Sequence, residues 1–261
     1  MLFAAHLLRT LRRHWPHYLV EAAGIMAFLV FSSVAAVVCH HPNSAVARAL
    51  GPHAWVQRMG VGLIVGGLIV AMAYSPWGKR SGAHFNPAVT LGFWQLGHIR
   101  TADAIWYVVA QFAGALVAGV AIFWLLAPWF GHPDVHYNTT RPPEGAYGWV
   151  IALGAEILIS GALMMVMLWS LHSARLKQCT GAFVGLLLAL FVVVEAPLSG
   201  MSLNPARTLG SAVAAGGSPG LWLYFVGPLA ATWVTAIVYG RWRRRHSPTE
   251  RPPVYPDYSA E

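Results

Sequence analysis

The sequence predicts an all-α membrane protein: six transmembrane helices plus two re-entrant half-helices, arranged as an inverted repeat. Three observations predict it. Apolar residues make up 57% of the 261 and charged residues only 10%, whereas a soluble domain carries roughly a quarter charged residues. The apolar residues gather into six long runs, each close to the ~20 residues that cross a bilayer core. A twelve-residue motif occurs twice, S-G-A-H-F-N-P-A-V-T-L-G from Ser81 and S-G-M-S-L-N-P-A-R-T-L-G from Ser199, with eight identical positions.

In chain order the spans are expected at Leu19–Cys39, Val56–Tyr74, Ala104–Leu126, Gly148–Trp169, Thr180–Ala196 and Leu221–Tyr239. The fifth is short and needs flanking residues such as Cys179 or Pro197 to complete a crossing. Before the first span, residues 1–16 are basic and amphipathic, too polar for a signal segment. They are expected to form a helix on the inner membrane surface. The membrane-embedded repeat region is expected over residues 17–240, with one repeat over 17–126 and the other over 147–240. Residues 241–261 form a basic, Pro-rich tail, expected to be disordered from Ser247.

Two further apolar stretches, Phe85–Leu96 and Leu203–Ala215, are too short to cross. Each opens on one copy of the motif, which predicts a re-entrant half-helix enclosed by protein. Three spans per copy is an odd number, so the second copy must run upside down. A functional site is then expected where the halves meet.

The net charge of +8 raises nucleic acid as a partner. The positive residues lie between and beyond the apolar runs, with no interleaved aromatic platform, so the lipid bilayer explains them better. With both termini cytoplasmic, thirteen Lys and Arg fall inside, among them Arg9, Lys79, Arg100, Arg175, Lys177 and Arg243. Only Arg48, Arg58 and Arg141 fall outside. The expected location is multi-pass in the cell membrane. Cys39 and Cys179 define neither a zinc site nor a disulfide framework. The His40-His41 pair and the other histidines have no metal-binding spacing, so no metal and no cofactor are expected.

In Asn86-Pro87-Ala88 and Asn204-Pro205-Ala206, asparagine is a good N-cap and proline suits the first helical turn. Each box starts a half-helix, and inversion aims the two starts at each other. A helix start carries about half a positive charge. Two facing starts make a positive centre, and the Asn amides add donors that can orient a passing water. A lone Asn-Pro would mark only a turn; two in register between apolar runs mark a site.

Arg207 lies three residues past Asn204 in an apolar segment. It either snorkels to the interface or faces a pore as a donor and cation barrier. Glu21 and Glu156 sit inside spans of the two halves. They read either as proton-relay acids or as acceptors supporting the backbone of the re-entrant loops. Glu195 has no counterpart in the first half and reads as a vestibule group or a solvated interfacial carboxylate. His84 lines the inner pore or packs its loop.

On these boxes and spans the chain resembles the major intrinsic protein family of water channels and glycerol facilitators, over about His17 to Tyr239. The resemblance implies an aquaporin-like bundle with one pore per subunit, usually in a homotetramer, and passive flow of water and small neutral solutes. It implies proton and cation exclusion by half-helix dipoles and an arginine, the physics established for aquaporin-type pores. The family's outer constriction maps onto Arg207, Met201 and Val192, with Val65 in span two and Gly66 or Val61 as alternatives there. Strict water channels carry an aromatic and a histidine where this chain has valines. Glycerol facilitators carry aspartate where it has Thr208. The pattern is more like the plant nodulin-type branch and related bacterial channels. The competing reading is a proton-coupled secondary transporter, with Glu21 and Glu156 as its coupling acids. An enzyme would need a nucleophile–base pair or metal cluster at suggestive spacing, and an ion channel sits poorly with a positive pore centre.

Overall fold

The computed structural model describes residues 2–246, and among them the chain is all-helical. Expectations for the tail beyond His246 fall outside that range. Six helices are long and apolar enough to cross a membrane: α1 (Leu2–His40), α2 (Ala54–Tyr74), α4 (Thr101–Phe130), α5 (Gly148–Leu171), α6 (Thr180–Val194) and α8 (Leu223–His246). Among the shorter helices between them are the two expected half-helices, α3 (Pro87–Gln95) and α7 (Pro205–Ala214). Large apolar side chains such as Leu63, Trp124, Leu158 and Leu186 face outward and are exposed, as a lipid-facing surface requires.

Three elements depart from the sequence-based bounds. The basic N-terminal stretch and the first span form one continuous 39-residue helix, with Pro16 inside it. Its N-terminal turns are tied to α4: Trp106 donates to the Leu7 carbonyl at 3.0 Å, and the Asp103 carboxylate meets His14 and the Tyr18 hydroxyl, each at 2.7 Å. The last helix runs seven residues past Tyr239, to His246. Its final turn is basic, which the negative end of a helix favours. The fifth crossing is only 15 residues of α-helix, about 22 Å at 1.5 Å per residue. A 3₁₀ turn at Lys177–Cys179 and a short helix at Ala196–Ser199 extend it at its two ends.

The halves interlock. Within the first half α1 packs on α4, and within the second α5 packs on α8; α2 and α6 pair across the middle. The half-helices cross over: α3 packs on α8, and α7 packs on α4. Small residues permit the close approaches. A Cβ on Gly114 would overlap the backbone carbonyl of Ala22 in α1, and Gly66 of α2 lies directly on Gly185 of α6. Gly67 and Gly154, by contrast, have no neighbour within 4 Å at that position.

Candidate functional site

The two half-helices are entered by loops of the same shape. In the first, Gly82, Ala83 and Phe85 have φ of 86°, 52° and 47°; in the second, Gly200, Met201 and Leu203 have 85°, 54° and 59°. Glycine adopts this region freely, but the other four residues do so only where their surroundings compel them. One buried glutamate per half does the compelling. Glu21 Oε1 accepts from the Ser81 hydroxyl at 2.7 Å and the His84 N–H at 3.1 Å; its Oε2 accepts from the Phe85 N–H at 2.6 Å and the Gln111 amide at 2.8 Å. Glu156 Oε1 accepts from the Ser199 hydroxyl at 2.6 Å and the Ser202 N–H at 2.7 Å, and its Oε2 from the Leu203 N–H at 2.9 Å. Both side chains are fully buried. The geometry is that of acceptors holding loop backbone.

Past the loops the chain turns extended at Asn86 and Asn204, and each starts a helix with proline in the first turn. Asn86 Oδ1 accepts from the Ala88 N–H at 2.8 Å; Asn204 Oδ1 accepts from Ala206 at 3.0 Å and Arg207 at 3.3 Å. The amides then reach across the halves. Asn86 Nδ2 donates to the Leu203 carbonyl at 2.9 Å, and Asn204 Nδ2 donates to the Phe85 carbonyl at 2.8 Å. The two boxes are therefore bonded reciprocally, and their helix starts converge. Each amide nitrogen keeps a second N–H, and both asparagines line a cavity of about 550 Å³ that continues to Lys79 and Lys177.

On the other side of the boxes, Val65, Val192, Met201 and Arg207 line a second cavity of about 290 Å³. Val61 lines it as well, one turn from Val65, whereas Gly66 faces α6 instead. Arg207 is 6% exposed. Its Nη2 donates to Asn138 Oδ1 at 3.1 Å, and its Nη1 meets no hydrogen-bonding protein group among the described residues. His84 lines the first cavity. Its Nδ1 lies 3.0 Å from the Thr90 hydroxyl, and its ring packs on Phe93 and Tyr107. Lining and loop packing are thus both true of it.

Three residues gave no functional signal in the sequence or gave the wrong one. Phe28 of α1 lines both cavities, and Met201 is the other residue common to them; an aromatic inside an apolar run looks like any other. Asn138 ends a run of three non-glycine residues, His136, Tyr137 and Asn138, with φ near 50–56°. Tyr137 packs edge-on against Phe130, and Asn138 Nδ2 also reaches the Ser32 hydroxyl at 3.3 Å. Glu195, expected as a vestibule or solvated group, is not solvated. It is 4% exposed, and the adjoining cavity wall is formed by Ala196 and Pro197. Glu195 precedes the short helix at Ala196–Ser199, and its side chain lines neither of the two cavities.

Comparison with known proteins bears on the whole of this architecture. The sequence profile of the major intrinsic protein family matches residues 9–239. The chain is 37% identical over 183 residues to a probable aquaporin NIP-type of Nicotiana alata, covering 70% of this chain and 65% of that one. It is 35% identical over 191 residues to aquaporin NIP2-3 of Zea mays, covering 73% and 61%. The matched region thus spans less than two thirds of these curated relatives. The fold is similar to that of the aquaglyceroporin from Plasmodium falciparum, with a TM-score of 0.67, 22% identity, and coverage of 90% of this chain and 98% of that one.

Proposed function

The chain belongs to the major intrinsic protein family, and from that premise we propose that it forms a passive transmembrane channel for water and small uncharged solutes such as glycerol. The observation that carries this reading is the reciprocal bonding of Asn86 and Asn204 beside the junction of two cavities. Two helix starts directed at one point make a positive centre in a narrow, low-dielectric passage. A water crossing it turns its oxygen to the free asparagine N–H groups, which interrupts a chain of proton-conducting hydrogen bonds. Arg207 adds a fixed charge against cations and an unpaired Nη1 donor for a solute oxygen.

The ring around Arg207 sets what passes. Val65 and Val192 offer it no hydrogen bond, and Met201 is apolar and flexible. Such a ring suits neutral solutes larger than water. The names of the relatives, both aquaporins, support the water pathway. In this reading each subunit holds its own pore within a homotetramer. The Lys79 and Lys177 end of the passage faces the cytoplasm with both termini, and Arg207 faces out. Coupled transport fares worse, because Glu21 and Glu156 are already committed to four and three hydrogen bonds.

Stopped-flow light scattering on proteoliposomes tests the proposal. Osmotic water flux well above that of empty liposomes is expected, with glycerol and urea flux above background and no dependence on a proton gradient. Folded protein that passes none of the three, or passes a solute only against a proton gradient, would overturn it.

A further inference from the structure

The second pore loop carries a buried carboxyl group that its twin in the first half lacks. Glu195 directly follows α6, and the position 118 residues earlier is Trp77, which is 73% exposed. Neither Glu195 carboxyl oxygen makes a well-formed hydrogen bond among the described residues, although Ser199 and the Met201 N–H stand close enough to favour its charged form. An ionised carboxylate is costly in such a position. It also sits at the carbonyl end of α6, where a negative charge is disfavoured. Burial, with the charge of nearby Glu156 added, pushes its pKa up to about 7. The group is therefore neutral below about that pH and ionised above it.

Its neighbours are the working parts of the loop. Ser199 and the Met201 N–H stand beside it, and both are already engaged. Ser199 Oγ donates to Glu156 and accepts from the Met201 N–H at 3.1 Å. The other ionisable groups around this pocket come from three further elements. Tyr224 of α8 donates to the Ser199 carbonyl at 2.7 Å, Arg207 of α7 lies in the field of Glu156, and Arg58 of α2 donates to the Val193 carbonyl at 3.1 Å. None of them is bonded to the Glu195 carboxyl.

We propose that Glu195 is a proton-operated positioning residue for the second pore loop, setting how far Met201 closes the junction between the two cavities. When the carboxyl is neutral, Ser199 and Met201 stay in the Glu156 network and the loop keeps the form described. When its proton leaves to solvent, the carboxylate competes for the Ser199 hydroxyl and the Met201 N–H. Because Glu195 lines neither cavity while Ala196, Pro197 and Met201 line the second, that pull draws Met201 away from the passage and widens it. The inference rests on the channel reading of the same site.

The test is the ratio of glycerol to water flux in proteoliposomes of the full chain, buffered equally on both sides. Between roughly pH 5.5 and roughly pH 8.5, the range that spans such a titration, the ratio should rise in the wild type. A rise of roughly threefold is what the exchange of one net hydrogen bond supports. Glu195→Gln should hold the low-pH ratio throughout. Met201→Ala should give a high ratio that no longer moves with pH. A flat wild-type profile with normal water flux would overturn the role of Glu195 and leave the channel reading intact, as would a rise that persists in Glu195→Gln. Should Glu195→Gln not fold, a pH response retained in Met201→Ala would overturn it by itself. Folded protein with no flux at any pH would overturn both.

Discussion

Replacing Glu21 separates a structural acid from a coupling acid. Its two oxygens accept four hydrogen bonds from Ser81, His84, Phe85 and Gln111, in a fully buried setting. Glu21→Ala leaves four donors without an acceptor. At about 1–3 kcal/mol for each buried donor left unmade, the loss is about 4–12 kcal/mol, comparable with the whole stability of many domains. Glu21→Gln is milder. With its oxygen toward Phe85 and Gln111, its amide can donate to the Ser81 hydroxyl, which then accepts. The His84 N–H and the Ser81 O–H then lose their acceptor, for about 2–6 kcal/mol together at about 1–3 kcal/mol each.

The assay pairs thermal unfolding in detergent, followed by tryptophan fluorescence, with water flux in liposomes. Glu21→Gln should fold, unfold at a lower temperature, and pass water near the wild-type rate. Glu21→Ala should yield little folded protein. A coupling acid would behave in the opposite way, with Gln leaving stability unchanged and abolishing proton-driven uptake. Wild-type stability in Glu21→Ala would refute the loop-support argument outright.

Further variants probe the ring and its support. Arg207→Ala should raise proton or cation leak by roughly tenfold or more, since a full charge a few ångströms from the path contributes on the order of 1–4 kcal/mol of barrier; unchanged leak in folded protein would remove Arg207 from the passage. Val192→His should lower the glycerol-to-water ratio by narrowing the ring and adding a donor, and a constant ratio would take Val192 out of the constriction. Asn138→Ala frees the Arg207 guanidinium from its bond to Oδ1 and should shift the urea-to-glycerol ratio. Asn138→Asp, which keeps an acceptor and tolerates the left-handed backbone, should restore that ratio, and failure of this rescue would show that only the loop fold matters there.

Much of this architecture was legible because a bilayer imposes simple rules on sequence. Long apolar runs give the crossings, and the paired Asn-Pro boxes give the half-helices. The resemblance to the family pointed to Met201 and Val192, which line one cavity with Arg207. What was not legible depends on contacts across the fold. The first helix continues through Pro16 because Asp103 and Trp106 hold its early turns against α4, and no local pattern encodes that. His136, Tyr137 and Asn138 take left-handed backbone with no glycine to announce it. Glu195 stands at the end of an apolar run, where a solvated carboxylate is the natural expectation; it is buried instead.

The repeat itself shows which residues build the site and which tune it. Across the two boxes the shared residues do the same structural work twice. Ser81 and Ser199 bond the buried glutamates, Gly82 and Gly200 make the left-handed turn, and the asparagines cap and cross-bond. Thr90 and Thr208 bond the residue two before each asparagine. At Gly210, a Cβ would fall 2.7 Å from the Ala115 carbonyl. Four pairs differ: Ala83 with Met201, His84 with Ser202, Phe85 with Leu203, and Val89 with Arg207. All eight of these residues line one cavity or the other. Ser202 and Leu203 line the first cavity together with His84 and Phe85, and Met201 borders both, so the pair that separates the two cavities is Val89 with Arg207. Valine at position 89 adds no charge beside the first box, where arginine at 207 places a cation beside the second. A symmetric scaffold thereby yields one filter rather than two, and a second arginine at position 89 would double the cation barrier at the cost of another buried charge.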